Sequence, residues 1–169
     1  MRESYDRYMY RKYQESVRSN KKQNKMRILI MGLPGSGKTT LARELAYHFL
    51  IPHHNADTVR EYTDNWDFSP TGRENQARYM SGQWGIVDFV CPTSELRDIA
   101  EADFVIWMDT IEEGRFEDTN KLFEQPQRYD IRITKWIGLS QLRKCLEDFS
   151  PGIKGIQSFL NDALPKLVK

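Results

Sequence analysis

Gly32-Leu33-Pro34-Gly35-Ser36-Gly37-Lys38-Thr39-Thr40 follows the apolar run Ile28–Met31 and leads into the helix-compatible segment Leu41–Leu50. The spacing G-x-x-x-x-G-K-T, set between a strand and a helix, is that of a phosphate-binding loop. Gly32, Gly35 and Gly37 let the backbone turn with its N–H groups inward, making an anion nest at a helix start. Leu33, Pro34 and Ser36 fill the loop between them. Lys38 puts a positive charge beside the terminal phosphates, Thr39 offers a hydroxyl to Mg²⁺, and Thr40 adds an early-turn hydroxyl. A glycine turn with a surface lysine is the plain alternative, and the complete pattern weighs against it. The expected ligands are ATP and Mg²⁺.

Outward from this loop the chain alternates strands and helices. Arg27–Met31 reads as a buried parallel strand because it is almost wholly apolar. Further strands are predicted at Ile51–Asn55, Ile86–Cys91, Phe104–Met108 and Tyr129–Ile133. Helices are predicted from Lys38 to before Pro52, from an Asp57 cap through Tyr62, and over Arg73–Gly82, Ser94–Ala100, Leu139–Phe149 and Gly155–Leu164. Residues 65–72 read as a loop. Residues 110–128 are polar and turn-rich, and Pro126 argues against a continuous helix there. The alternation predicts a three-layer α/β/α fold with a mainly parallel sheet.

The 169 residues suit one such domain. No apolar stretch is long enough to span a bilayer, and the opening residues lack the apolar core of a secretory signal. Cys91 and Cys145 have no metal-binding spacing and read as thiols of a cytoplasmic protein. The net charge of +1 is unevenly spread. Residues 1–25 hold eight Lys or Arg against three Asp or Glu, while residues 26–169 hold 17 against 21. Residues 1–25 therefore read as a basic, Tyr-containing extension, with Ser19–Lys25 as a linker to the kinase-like domain 26–169. Tyr5, Tyr8, Tyr10 and Tyr13 among Arg7, Arg11 and Lys12 would suit nucleic acid, but a helix packed on the domain by its tyrosines is favoured.

Three later clusters fall where strand ends of a parallel sheet face the ligand crevice. In Asn55-Ala56-Asp57-Thr58-Val59-Arg60, Asp57 would orient an attacking hydroxyl or take its proton, and Arg60 would hold an anionic acceptor. A helix cap with a solvated partner is the alternative. In Phe68-Ser69-Pro70-Thr71-Gly72-Arg73, continuing to Arg78, Phe68 would stack on a flat base while Arg73 and Arg78 clamp phosphate or sulfate. A loop plug and surface arginines are the plainer reading. Phe89-Val90-Cys91-Pro92, followed by Arg97, would offer backbone groups to the acceptor.

These clusters, in this order, resemble the adenylylsulfate kinase family of P-loop kinases over roughly Met26–Trp136. The family's G-x-x-G-x-G-K-[ST]-T is met by Gly32–Thr40. Its D-G-D-N-V-R compares with Asn55–Arg60, with Asn55 in place of the first Asp. Its F-S-x-x-D-R-x-E-N-I-R-R compares with Phe68–Tyr79, with Gly72 in place of Asp. Its I-S-P-Y-R-x-x-R compares with Val90–Arg97, without the middle arginine. The resemblance implies Asp57 as the acceptor-activating carboxylate, Phe68 stacked on the substrate adenine, and Arg60, Arg73 and Arg78 on the phosphosulfate, with Cys91 and Pro92 lining the acceptor.

The lid, near 110–128, departs from the family. Met108-Asp109-Thr110 resembles its V-D-T, and Glu117–Phe123 its R-D-P-K-G-L-Y, with Glu117 for Arg, Asn120 for Lys and Lys121 one place later. Phe123-Glu124-Gln125-Pro126 runs directly into what resembles Y-E-x-P, so the segment carrying a second adenine-stacking Phe is absent. Loss of that partner would cost roughly 1–3 kcal/mol of base binding. Lys121 or Arg115 would have to replace the lid cation, although Lys121 also reads as half of a surface pair with Asp118.

The resemblance implies an ATP-dependent kinase phosphorylating the 3′-hydroxyl of adenosine 5′-phosphosulfate, as in sulfate assimilation, and a homodimer is compatible with it. A related kinase for a nucleoside, a nucleotide or a hydroxymethylated DNA base is the alternative. A third reading is an ATP-binding regulatory protein without efficient transfer.

Overall fold

The computed structural model describes residues 25–169, together with Arg7, Tyr8, Tyr10, Arg11 and Glu15. The rest of the expected extension and linker lies outside the described residues. Of the five, Tyr8 lies against Tyr47, with ring centroids 5.4 Å apart.

Five parallel strands form the sheet: β1 (Arg27–Met31), β2 (His53–Asn55), β3 (Gly85–Asp88), β4 (Phe104–Met108) and β5 (Ile131–Ile133), in the order β2-β3-β1-β4-β5. The period of two along β1 explains the layers. Ile28 and Ile30 face one core with α1 (Lys38–Phe49), α6 (Leu139–Leu146) and α7 (Ile153–Ser158). Leu29 and Met31 face the other, with α2 (Ala56–Thr63), α3 (Pro70–Ser81) and α4 (Ser94–Ala100). Both faces of the strand are thus buried, as its continuous apolar sequence requires.

Local chemistry moves several expected boundaries. The cap of α2 is Asn55 and not Asp57: the Asn55 carbonyl oxygen accepts from the Thr58 N–H at 3.0 Å. Helix α3 starts three residues before Arg73, because Ser69 caps it through the Gly72 N–H and Pro70 takes a first-turn position where no donor is needed. Strand β3 stops at Asp88, and Cys91 has a left-handed φ of 46°. A short α5 (Glu117–Leu122) sits inside the lid, ending before Pro126. At the C-terminal end, α7 widens into a π turn, Phe159–Ala163, before α8 (Leu164–Leu167). Pro165 lacks the N–H that would continue the regular ladder there. No helix among the described residues is long and apolar enough to cross a membrane.

Candidate functional site

The order β2-β3-β1-β4-β5 places β1 between strands reached by crossovers in opposite directions, so the phosphate loop opens at the switch point of the sheet. The loop's geometry depends on glycine at two positions in particular. Gly32 has φ of 150°, and a Cβ there would lie 2.5 Å from the Met108 carbonyl oxygen. Gly37, at φ 97°, starts α1, and a Cβ there would meet the Trp136 ring at 3.2 Å. Any side chain at Gly32 would push the loop off the end of β4.

Inside this cradle the Ser36 hydroxyl is buried, and among the described residues it has no hydrogen-bond partner. A buried polar atom without a partner is costly, and an anion in the nest would satisfy it. Lys38, 8% exposed, donates from Nζ to the Leu33 carbonyl at 2.9 Å. Burial lowers its pKa from 10.5 to about 8, Asp88 and Asp57 oppose the shift, and the charge on Arg115 adds to it. The lysine is therefore cationic at neutral pH but poorly solvated, which a phosphate would remedy.

Thr39 leads to a polar cluster that joins α1 to the ends of β2 and β3. Its hydroxyl donates to Asp88 Oδ1 at 3.1 Å, and Asn55 Nδ2 donates to Thr39 Oγ1 at 3.1 Å. Asp88 is 1% exposed, and His53 Nε2 lies 2.5 Å from its Oδ2. The hydroxyl and carboxylate are hard oxygen donors beside the phosphate cradle, the donor set Mg²⁺ favours. Thr39 and Asp88 would hold it, and the residues present fit the ion. Asp88 is absent from the sequence expectations because the strand was read through to Cys91.

Asp57, exposed in the first turn of α2, acts electrostatically on both Lys38 and Arg60. It therefore lies near both the loop lysine and Arg60. Arg60 has a different task from the one expected. It is 4% exposed, and its guanidinium donates to the carbonyls of Asn65 and Asp67 and to Gln76 Oε1 at 3.1, 2.9 and 3.0 Å. It also lies 4.3 Å from the Phe68 ring centroid. Arg60 thus builds the loop that presents Phe68, which stays half exposed beside Trp66.

Arg73 donates to the Phe68 carbonyl at 3.0 Å and feels Asp118 of the lid. Arg78 is not brought to this rim. It pairs with Glu74 at 2.6 Å in an acidic cleft shared with Glu95, Asp98 and Glu101. Lys121 is exposed and pairs with Glu117 at 3.1 Å, not with Asp118. The carbonyls of Cys91 and Pro92 accept from Arg97, which also donates to the Glu124 carbonyl. Burial pushes the Cys91 thiol up to about 12, so it stays protonated at neutral pH.

The segment expected to form a lid is fastened to the phosphate loop. Thr110 donates its hydroxyl to the Ser36 carbonyl at 2.7 Å, and Gly114 packs so closely on Pro34 that a Cβ would lie 3.0 Å from its Cδ. The Asn120 amide bonds both the N–H and the carbonyl of Gly114 at 2.8 and 2.9 Å. At its far end, Glu124 accepts from the Ser94 N–H and donates its own N–H to Pro92.

The fold is similar to that of a solved structure. A shikimate kinase from Acinetobacter baumannii in complex with shikimate superposes with a TM-score of 0.54 at 17% identity, covering 83% of this chain and 96% of that one. The chain has the P-loop kinase fold. A sugar kinase from Janibacter sp. HTCC2649 matches at a TM-score of 0.44 and 16% identity, over 86% of this chain and 99% of that one. No family model matches the sequence, and no curated protein does. Around the cradle this chain gathers the Thr39–Asn55–Asp88–His53 cluster, the fastened segment 110–124, and Trp136. The last was missed because its place over Gly37 follows from the turn after β5 and not from a local pattern.

Proposed function

We propose that this chain is a magnesium-dependent ATP phosphotransferase acting on an acceptor hydroxyl, the 3′-hydroxyl of adenosine 5′-phosphosulfate. The observation that carries the reading is the convergence of Lys38, the Thr39–Asp88 oxygen pair and Asp57 around a cradle holding an unpartnered Ser36 hydroxyl. Loop N–H groups and Lys38 grip the terminal phosphates. Asp57 accepts the acceptor's hydroxyl proton and aims its oxygen in line, and Phe68 with Arg73 fixes the rest of the acceptor. Mg²⁺ supplies charge neutralisation at the phosphate oxygens.

The engagement of Arg60 and the displacement of Arg78 favour a second reading. Of the three expected arginines, Arg78 pairs with Glu74 and Arg60 is buried on two loop carbonyls and Gln76, which leaves Arg73 beside Phe68 as the more available cation. An uncharged nucleoside, or the base itself of a hydroxymethylated DNA, needs fewer cations in the pocket than a phosphosulfate, the backbone of DNA being met elsewhere on the surface. Incubation with Mg·ATP and adenosine 5′-phosphosulfate, followed by measurement of the 3′-phosphorylated product, tests the first reading. Labelling of nucleosides or modified DNA with no product from that acceptor would replace it with the second. No labelled product from any acceptor, alongside tight ATP binding, would leave a regulatory nucleotide binder.

Trp136 is placed to flank the nucleobase, since its half-exposed ring lies on Gly37 at the head of α1. Trp136→Ala is expected to weaken ATP binding by about tenfold or more, the loss of one stacking contact of roughly 1–3 kcal/mol. Binding of inorganic triphosphate should be unchanged, and calorimetry with the two ligands separates the effects.

The depressed Lys38 pKa gives a pH dependence with a definite sign. A lysine lowered in the folded state binds fewer protons than in the unfolded chain between about 8 and 10.5. Its contribution therefore makes stability rise with pH across that window. Nucleotide affinity runs the opposite way, falling as pH rises through about 8, because the gripping ammonium is lost. Titrations in buffers of different ionisation heat should detect proton uptake on ATP binding above that pH.

A further inference from the structure

Asn55 and Asp88 are register partners on adjacent parallel strands, at the C-terminal ends of β2 and β3. Both reach Thr39: the Asn55 amide nitrogen and Asp88 Oδ1 each lie 3.1 Å from its hydroxyl oxygen. The same amide nitrogen donates to both oxygens of Asp88, at 3.2 and 3.1 Å. Its carbonyl end is committed to the Thr58 N–H and hydroxyl at 3.0 and 3.3 Å. The side chain is therefore oriented at both ends, with acceptor toward the helix and donor toward the carboxylate.

Asparagine carries both the acceptor and the donor that this position uses. An aspartate would cap α2 as well, but it has no donor for Asp88. It would also put a second carboxylate about 3 Å from the first, an arrangement that disfavours two charges without a cation between them. Asparagine where the resembling family carries Asp is thus matched by the acid that stands beside it on β3. Acid and amide thus stand side by side on the two strands, with His53 Nε2 at 2.5 Å from the acid's other oxygen.

We propose that Asn55 is the positioning residue of the magnesium site, holding the Asp88 carboxylate against Thr39, and that the acid and amide of this strand pair can be exchanged with metal dependence retained. The proposal rests on the Mg·ATP reading above.

Three variants test it: Asn55→Asp, Asp88→Asn and the double exchange. Two readouts are thermal unfolding without metal and the Mg²⁺ dependence of nucleotide binding by calorimetry, with transfer rates as a third. Asn55→Asp keeps the helix cap, so its circular dichroism should match the native protein. Its metal-free melting temperature should fall, and added Mg²⁺ should restore more stability than in the native protein. Asp88→Asn should lose about tenfold or more of the Mg²⁺ enhancement of nucleotide binding, the scale seen when metal-site partners are removed. The double exchange should recover most of both losses.

A double exchange no better than Asp88→Asn in Mg²⁺-dependent binding would overturn the proposal. If the double exchange does not fold, Asn55→Asp decides alone, since native metal-free stability and native Mg²⁺ response in that variant would equally overturn it. Native protein whose nucleotide binding ignores Mg²⁺ would remove the kinase reading itself. Mg²⁺-linked binding in the native protein without recovery on exchange removes only the present proposal.

Discussion

Asp57→Asn is expected to lower the phosphoryl-transfer rate by about 10²–10⁴-fold, the range for loss of a positioned general base. ATP affinity should stay within about twofold, because that range belongs to the proton-transfer step and not to phosphate binding. The reason is local. Asp57 lies in the first turn of α2, where Asn55 and not Asp57 supplies the cap. Removing its charge therefore leaves the helix start intact. It does remove a carboxylate that acts on both Lys38 and Arg60, so the surroundings of those two cations become more positive. Single-turnover measurements with saturating Mg·ATP separate this from a binding defect. Full activity in Asp57→Asn would move the proton-accepting role to another group.

Lys38→Met is the second large effect. Methionine keeps the aliphatic length of a side chain that is 8% exposed, so folding should survive and the metal-free protein should become more stable near neutral pH. That stabilisation follows because a poorly solvated ammonium has been removed. Transfer should nevertheless fall by about 10²–10³-fold, the scale for deleting one preorganised charge-stabilising donor. A variant that melts higher than the native protein yet transfers poorly would separate the cost of burying this charge from its use. Native transfer by Lys38→Met would show that the loop N–H groups and Arg115 suffice.

The two outcomes draw on parts of the molecule that were legible in the sequence to different degrees. The loop was readable because its glycines, lysine and threonine are consecutive and their roles follow from backbone conformation alone. The layers were readable because the alternation in β1 sorts its residues between two cores. Asp88 was not, since its bond to Thr39 joins residues 49 apart and depends on which strands become neighbours. Arg60 is the sharper lesson. A run ending in arginine predicts a free cation, but the carbonyls of Asn65 and Asp67 turn inward only once the chain between α2 and α3 has folded, and they enclose it. Arg78 diverged for a simpler reason: five positions along α3 from Arg73, it points to a different side and meets Glu74.

The fastened lid has a consequence for the fate of ATP. With Thr110 bonded to Ser36 of the loop and Glu124 bonded to Pro92 and Ser94 beyond β3, this strap is held at both ends and does not lift from the loop without breaking several bonds at once. In a phosphotransferase of this build, nucleotide exchange would require those bonds to open, and water would compete with the acceptor for any opening they leave. Under the proposed kinase reading, thrift with ATP would depend on how well the acceptor hydroxyl, once seated, outcompetes water for Asp57.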